Sequence, residues 1–195
     1  GIRMTLHHAA QWLAADDWRE TGVLEHREEA GRLLPSASSA QHLQWSAPAD
    51  AGHKRQAMLP DDSPALWHAR AGWIKPAAVV RACLDQPGVE WRGNSRVAQL
   101  RRDGDVWLAL DESGGLLAQA QLVVVAAAHA SAALFPRELV LQPVRGQVSW
   151  ALQQAGQQLP PFPINGAGHL ISHVPVPGGD AWLAGSTYVR DDMDT

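Results

Sequence analysis

Pro143-Val144-Arg145-Gly146-Gln147-Val148-Ser149, then Gly166-Ala167-Gly168-His169-Leu170-Ile171, then Trp182-Leu183-Ala184-Gly185-Ser186-Thr187-Tyr188-Val189-Arg190 follow one another in the last third of the chain. Each is a short run of β-branched and aromatic residues bounded by glycine or proline, the pattern of extended strands joined by turns. Residues 144–148, 169–174 and 181–188 are therefore predicted to be strands of an antiparallel sheet.

The rest of the chain mixes helix and strand. Leu6, Ala9, Ala10, Leu13 and Ala14 recur at helical spacing, predicting an amphipathic helix over 5–18 that ends near Asp16-Asp17. From 31 to 64 the chain is rich in Ser, Ala, Gln, Pro and Asp and reads as short turns and surface loops. Ala65-Leu66-Trp67-His68 predicts a strand, and Ala71-Gly72-Trp73-Ile74-Lys75-Pro76 a turn into a helix, with Pro76 in the first turn. That helix carries Val79, Val80, Cys83 and Leu84 and stops at Pro87-Gly88. Strands are expected over 89–91, 97–100 and 106–110, with a hairpin at Asp111-Glu112-Ser113-Gly114-Gly115. The apolar run 122–126 predicts a strand buried on both faces. The fold class is α+β, a mixed and largely antiparallel sheet with helices, arranged as two interleaved subdomains.

The formal net charge of -4 supplies no field for a polyanion. Arg92, Arg96, Arg101 and Arg102 read as a solvated face and hairpin edge. Cys83 is the single cysteine, so no intrachain disulfide forms, which fits a reducing cytoplasm. The longest apolar run, 122–128, is far short of the roughly 20 residues that span a bilayer. A shared metal ion is not expected: His169 and His173 would stand about 13 Å apart on one strand at roughly 3.3 Å per residue. Neither a Gly-x-Ser-x-Gly elbow nor a Gly-x-x-x-x-Gly-Lys phosphate loop occurs.

Four segments carry a resemblance that covers about 66–195. They are Ala71-Gly72-Trp73-Ile74-Lys75-Pro76, Leu122-Val123-Val124-Val125-Ala126-Ala127-Ala128-His129, Arg145-Gly146-Gln147-Val148-Ser149, and Gly185-Ser186-Thr187-Tyr188-Val189-Arg190 with Asp194-Thr195. In this order they resemble the FAD-dependent oxidoreductase superfamily of D-amino acid oxidase, glycine oxidase and sarcosine oxidase. Within it they look most like the oxidase part of the bifunctional bacterial enzymes that modify the tRNA wobble uridine. The Gly-x-Gly-x-x-Gly fingerprint is absent and the chain begins at Gly1, so an internal piece of a larger enzyme is expected.

The resemblance implies part of an FAD-binding α/β domain at 77–135. It implies a substrate domain made of a helical and loop part at 1–76 and an antiparallel sheet at 136–195. FAD is the implied cofactor, bound weakly or not at all by this chain alone and contacted by Gly72, Val97, Ala126, Ala127 and Ala128. Trp73, Arg145, Gly146, His169, Tyr188 and Arg190 are the implied substrate contacts. The implied reaction removes the carboxymethyl group of 5-carboxymethylaminomethyl-2-thiouridine at the wobble position; tRNA and a preceding methyltransferase domain using S-adenosylmethionine are the partners. A glycine oxidase-like amine oxidase, or an inactive substrate-binding or interaction module, are the alternatives.

Two departures from the family stand out. Ala126-Ala127-Ala128 lacks the glycine that usually closes the strand, and His169 stands where a tyrosine is usual. No residue is assigned as catalytic acid or base. Arg145 and Arg190 offer guanidinium forks for a carboxylate or phosphate, while Arg190 could equally pair with Asp191 or Asp192 on the surface. Trp73 could wall a cavity or fill a core, and the Tyr188 hydroxyl could find its partner inside the sheet.

Overall fold

The structure, a computed structural model, describes residues 2–26, 44–135, 137 and 139–190. Much of the expected loop at 31–64, and the Asp191-Asp192 pair beside Arg190, lie outside those residues. The chain divides into two units, Gly1–Pro87 with Gly146–Thr187, and Gly88–Arg145 with Tyr188–Thr195.

In chain order, α1 (Ile2–Trp12) leads to β1 (Trp18–Arg19), β2 (Val23–His26), β3 (Ala47–Pro48), α2 (Ala51–Gln56), β4 (Ala65–His68), β5 (Trp73–Ile74) and α3 (Pro76–Leu84). Then come β6 (Gln99–Asp103), β7 (Val106–Leu110), β8 (Leu116–Ala120) and a 3₁₀ helix, Ala128–Leu134. The chain ends in β9 (Val144–Arg145), β10 (Val148–Leu152), β11 (Ile164–Asn165), β12 (His169–Val176), β13 (Gly179–Gly185) and β14 (Val189–Arg190). Among the described residues the fold is α+β.

In the first unit, seven strands form one sheet in the order β10-β13-β12-β11-β2-β4-β3. Only β11 and β2 run parallel; every other pair is antiparallel. Leu24, fully buried on β2, packs with Ala49, Ala57, Ala65 and Phe162, and a leucine removed from water to this extent contributes about 2 kcal/mol. Trp67 closes the core edge-on to Phe162 at 4.8 Å and stacks on His53 at 4.0 Å. His53 is placed by the N-cap of α2, where Asp50 Oδ1 accepts the His53 backbone N–H at 2.8 Å. That hydrogen bond holds the Asp50 carboxyl below its ordinary value.

Several expectations hold here. β4 spans the predicted 65–68, and α3 opens with Pro76 and ends before Gly88, which takes φ +83°. The first helix is shorter than expected: it stops at Trp12, and Trp18–Arg19 pairs instead with Trp73–Ile74. Backbone pairing to β5 takes residues that helical periodicity alone would have extended into α1. The segment expected to be turns and loops also holds β3 and α2. In β12 the register shifts between Ile171 and Val174, with His173 at φ +55°, so Ser172-His173 forms a bulge rather than two regular strand positions.

In the second unit, β6, β7 and β8 form an antiparallel meander with Leu108 and Leu110 of the central strand buried. The β7–β8 turn is built by Asp111, whose Oδ1 accepts from the Ser113 N–H, the Ser113 hydroxyl and the Gly115 N–H at 2.7–2.8 Å. Two sequence expectations are corrected here. Residues 89–91 are not a strand, and Trp91 is exposed. Residues 122–126 are not a doubly buried strand either; Leu122 and Val124 are 77% and 79% exposed. A continuous apolar run becomes a buried strand only when neighbouring strands take up its backbone, and no described strand pairs with this one.

Candidate functional site

In the second unit, β6, β7 and the segment after β8 line an open cavity of about 500 Å³. Val97, Ala126 and Ala127 line it together with Ala98, Ala109, Val123, Ala130, Ala133 and Leu134. Three of the five expected cofactor contacts thus share one wall. The preponderance of alanine leaves a smooth apolar surface suited to a flat ring system.

Ala128 follows directly and opens the 3₁₀ helix with φ +47°, the left-handed conformation glycine takes without cost. Ala128 thus takes, with a Cβ, a backbone conformation that favours glycine. The Ala127 N–H donates to Ser131 Oγ at 3.1 Å, which fixes the turn from within the helix it starts. Gly72 stands apart from this cavity. It lies in the first unit beside β5, where a Cβ would meet the Arg19 carbonyl oxygen at 1.9 Å, so close backbone approach alone demands glycine.

The expected substrate contacts distribute over both units. Trp73 is buried on β5, with the Arg19 guanidinium 5.9 Å from its ring centre. Gly146 lies against the Thr187 carbonyl, and the Gln147 N–H donates to Thr187 Oγ1 at 3.1 Å. His169 is exposed at the start of β12 and its Nδ1 lies 3.0 Å from Asn165 Oδ1. In the second unit, Arg145 is opposite Val189 and Arg190 opposite Val144. Cross-strand partners share a face and neighbours along a strand do not, so the two arginines point to opposite faces of this ribbon and cannot grip one anion together. Tyr188 is 70% exposed rather than partnered inside the sheet.

One arrangement had no signal in the sequence. Ser46 Oγ lies 2.7 Å from His68 Nδ1, and His68 Nε2 lies 3.0 Å from Glu25 Oε2. The residues stand 22 and 43 positions apart and meet only through sheet register. A cavity of about 380 Å³ opens on Ser46 and His68, lined also by Val23, Trp45, Arg70, Gly72 and Asn165. One surface pair displaces titration elsewhere: hydrogen bonding between Arg92 and Glu90 holds Glu90 low and raises Arg92 in turn. Arg92 also donates to the Leu117 carbonyl at 3.0 Å, tying the segment before β6 to β8.

The model of the family described as FAD dependent oxidoreductase matches residues 3–195. A tRNA 5-methylaminomethyl-2-thiouridine biosynthesis bifunctional protein from Polaromonas naphthalenivorans is 46% identical over 98% of this chain, and one from Delftia acidovorans is 46% identical over 90%. The chain spans about a third of the length of these relatives, 33% and 30%. Among solved structures, glycine oxidase from Geobacillus kaustophilus superposes with a TM-score of 0.67 at 16% identity, covering 99% of this chain and 54% of that one. Iminodiacetate oxidase from a Chelativorans species follows at 0.56 and 19%, covering 88% of this chain and 49% of its own. These two likenesses concern the fold. With a family model matched along nearly its whole length, the chain belongs to the FAD dependent oxidoreductase family.

Proposed function

We propose that this chain carries part of the oxidase half of a bifunctional tRNA-modifying enzyme. In this reading the enzyme removes the carboxymethyl group from 5-carboxymethylaminomethyl-2-thiouridine at the wobble position. The observation that carries the reading is 46% identity over 98% of the chain to a protein named for biosynthesis of 5-methylaminomethyl-2-thiouridine in tRNA. tRNA is then the substrate and a methyltransferase domain using S-adenosylmethionine the covalent partner. The compartment is the cytoplasm, in keeping with the absence, among the described residues, of any helix long and apolar enough to cross a membrane.

The alanine-lined cavity of the second unit fits a flavin or adenine ring, since it offers a smooth apolar wall of suitable size. Val97, Ala126 and Ala127 would hold the ring there, with Ala128 turning the backbone away behind it. Bound FAD supplies hydride acceptance from the carbon beside the substrate amine. The chain's own residues bind and orient. The alanine wall offers an apolar face to the ring, and one of Arg145 or Arg190 anchors a carboxylate from its own face of the β9–β14 ribbon. His169, held by Asn165, and Trp73 belong on this reading to the substrate side, as do Gly146 and Tyr188. We assign 88–135 to the cofactor side and the seven-stranded sheet to the substrate side.

The test is a visible absorption spectrum after adding FAD and desalting. It compares this chain with a protein in which the chain is joined to the segments that flank it in its relatives. Flavin retained by the longer protein, followed by glyoxylate release from wobble-modified tRNA and not from glycine, is the expected result. Flavin on neither protein sinks the oxidase reading; turnover of glycine alone moves the assignment to an amine oxidase.

A further inference from the structure

We propose that Ser46, His68 and Glu25 form a nucleophile, base and carboxylate array that takes an acyl group from a small carboxylic ester. Sheet register builds it. Ala47 pairs with Trp67, which sets Ser46 level with His68; Val23 pairs with His68, and Glu25, two residues on, shares its face. Asn165 pairs with Glu25 on the next strand, so Ser46, just before β3, stands level with His68 on β4, while Glu25 on β2 and Asn165 on β11 lie two residues further along the same face.

The hydrogen bonds define the roles. A carboxylate only accepts, so Glu25 on Nε2 assigns the proton to that nitrogen and leaves the Nδ1 lone pair facing Ser46 at 2.7 Å. The Ser46 hydroxyl then gives its one proton to His68, and its oxygen lone pairs remain for attack. Both distances lie within the reach of about 2.6–3.2 Å that joins a nucleophile to its base and a base to its orienting group. The two ring nitrogens exchange their usual assignments, but such arrays are defined by geometry and role. The side chains of His68 and Glu25 are 26% and 25% exposed, sheltered enough to hold their geometry and open enough to meet a ligand. The cavity beside them offers Val23 and Trp45 for a small apolar group. Asn165 lines the same cavity.

In the acylation step the Ser46 Oγ–carbonyl bond forms as the proton moves to His68 Nδ1, and the carbonyl electron pair moves onto oxygen. Return of that pair breaks the ester C–O bond, and the alcohol leaves with the proton from His68. Water attacks the acyl carbon in turn, gives a proton through His68 to Ser46 Oγ, and releases the carboxylic acid.

The test treats the flavin-free chain with a fluorophosphonate probe and locates the adduct by peptide mass mapping; p-nitrophenyl acetate hydrolysis gives the rate. A single adduct on Ser46, with exposed Ser95 unlabelled as the internal control, is expected. Ser46→Ala removes labelling, and His68→Gln slows it ~100-fold, the lower range for loss of a general base. Glu25→Gln slows it ~10-fold. Cooperative melting of each variant accompanies the comparison. Absence of an adduct on Ser46 in the wild-type chain overturns the proposal whatever the variants do. Equal labelling of a folded His68→Gln variant also overturns it. Since neither assay uses flavin, failure here leaves the oxidase reading untouched.

Discussion

Gly72 and Arg19 touch backbone to backbone: a Cβ at position 72 would stand 1.9 Å from the Arg19 carbonyl oxygen and 3.0 Å from the Glu20 Cα. This approach lets Arg19 pair with Trp73 and brings the guanidinium over the buried indole. Gly72→Ala forces β1 and β5 apart and costs about 2–3 kcal/mol, the upper range for inserting a methyl group into a packed site. Urea unfolding checks it. A variant as stable as wild type means that β1 does not hold this position.

Ala128 is expected to behave in the opposite sense. A left-handed conformation costs an ordinary residue about 1–2 kcal/mol, and Ala128 sits at φ +47°. Ala128→Gly recovers that strain but adds about 0.4–1 kcal/mol of unfolded-chain entropy. The net expectation is a gain of roughly 0.5 kcal/mol. Ala128→Val, β-branched at positive φ, is destabilised. Urea midpoints of the three proteins order them Gly, Ala, Val; a glycine variant below wild type removes the strain argument.

Elements set by local chemistry were legible in the sequence. Pro76 at the start of α3, Gly88 beyond its end and the Asp111 to Gly115 turn each act within a few residues. The alanines of the turn at 126–128 and Val97 were named from resemblance, and Val97, Ala126 and Ala127 do line one cavity. What could not be read depends on register or on missing neighbours. Ser46, His68 and Glu25 meet because three strands align, and no window of sequence contains that alignment. Residues 122–126 have the composition of a buried strand, yet composition does not provide the strands that must flank it. Arginines 145 and 190 were each legible as an anion-holding candidate, but that they lie on opposite faces follows only from pairing with Val189 and Val144.

Asp111 gives a pH dependence with a definite sign. The Ser113 hydroxyl, first, and the Gly115 N–H hold its carboxyl below the ordinary value near 3.8. A lowered folded value means that its contribution is fully present above about pH 4 and is lost as pH falls through the folded value. Asp111→Asn should therefore be less stable than wild type at neutral pH. The gap between the two should narrow on acidification below pH ~4. Because the group is exposed, the gap is small and is read as a difference between paired denaturation curves. A gap that stays constant from neutral pH to pH ~2 would falsify the assignment of the carboxylate as the turn's organising charge.

Phe162 tests where the stability of the first unit resides. It is 4% exposed in the Leu24 core and meets Trp67 edge-on, while Trp67 in turn stacks on the His53 ring held by the cap of α2. Phe162→Ala removes a ring from the junction of the sheet and α2 and costs about 3–5 kcal/mol, as large-to-small core changes do. That is a large share of a domain's usual 5–15 kcal/mol. Phe135→Ala, at a residue 41% exposed in the second unit, removes the same ring with a smaller loss. Thermal and urea unfolding of the two variants separate the cases. Comparable losses at both positions mean that the core is not centred on Leu24 and Phe162; a clearly larger loss at Phe162 places it there.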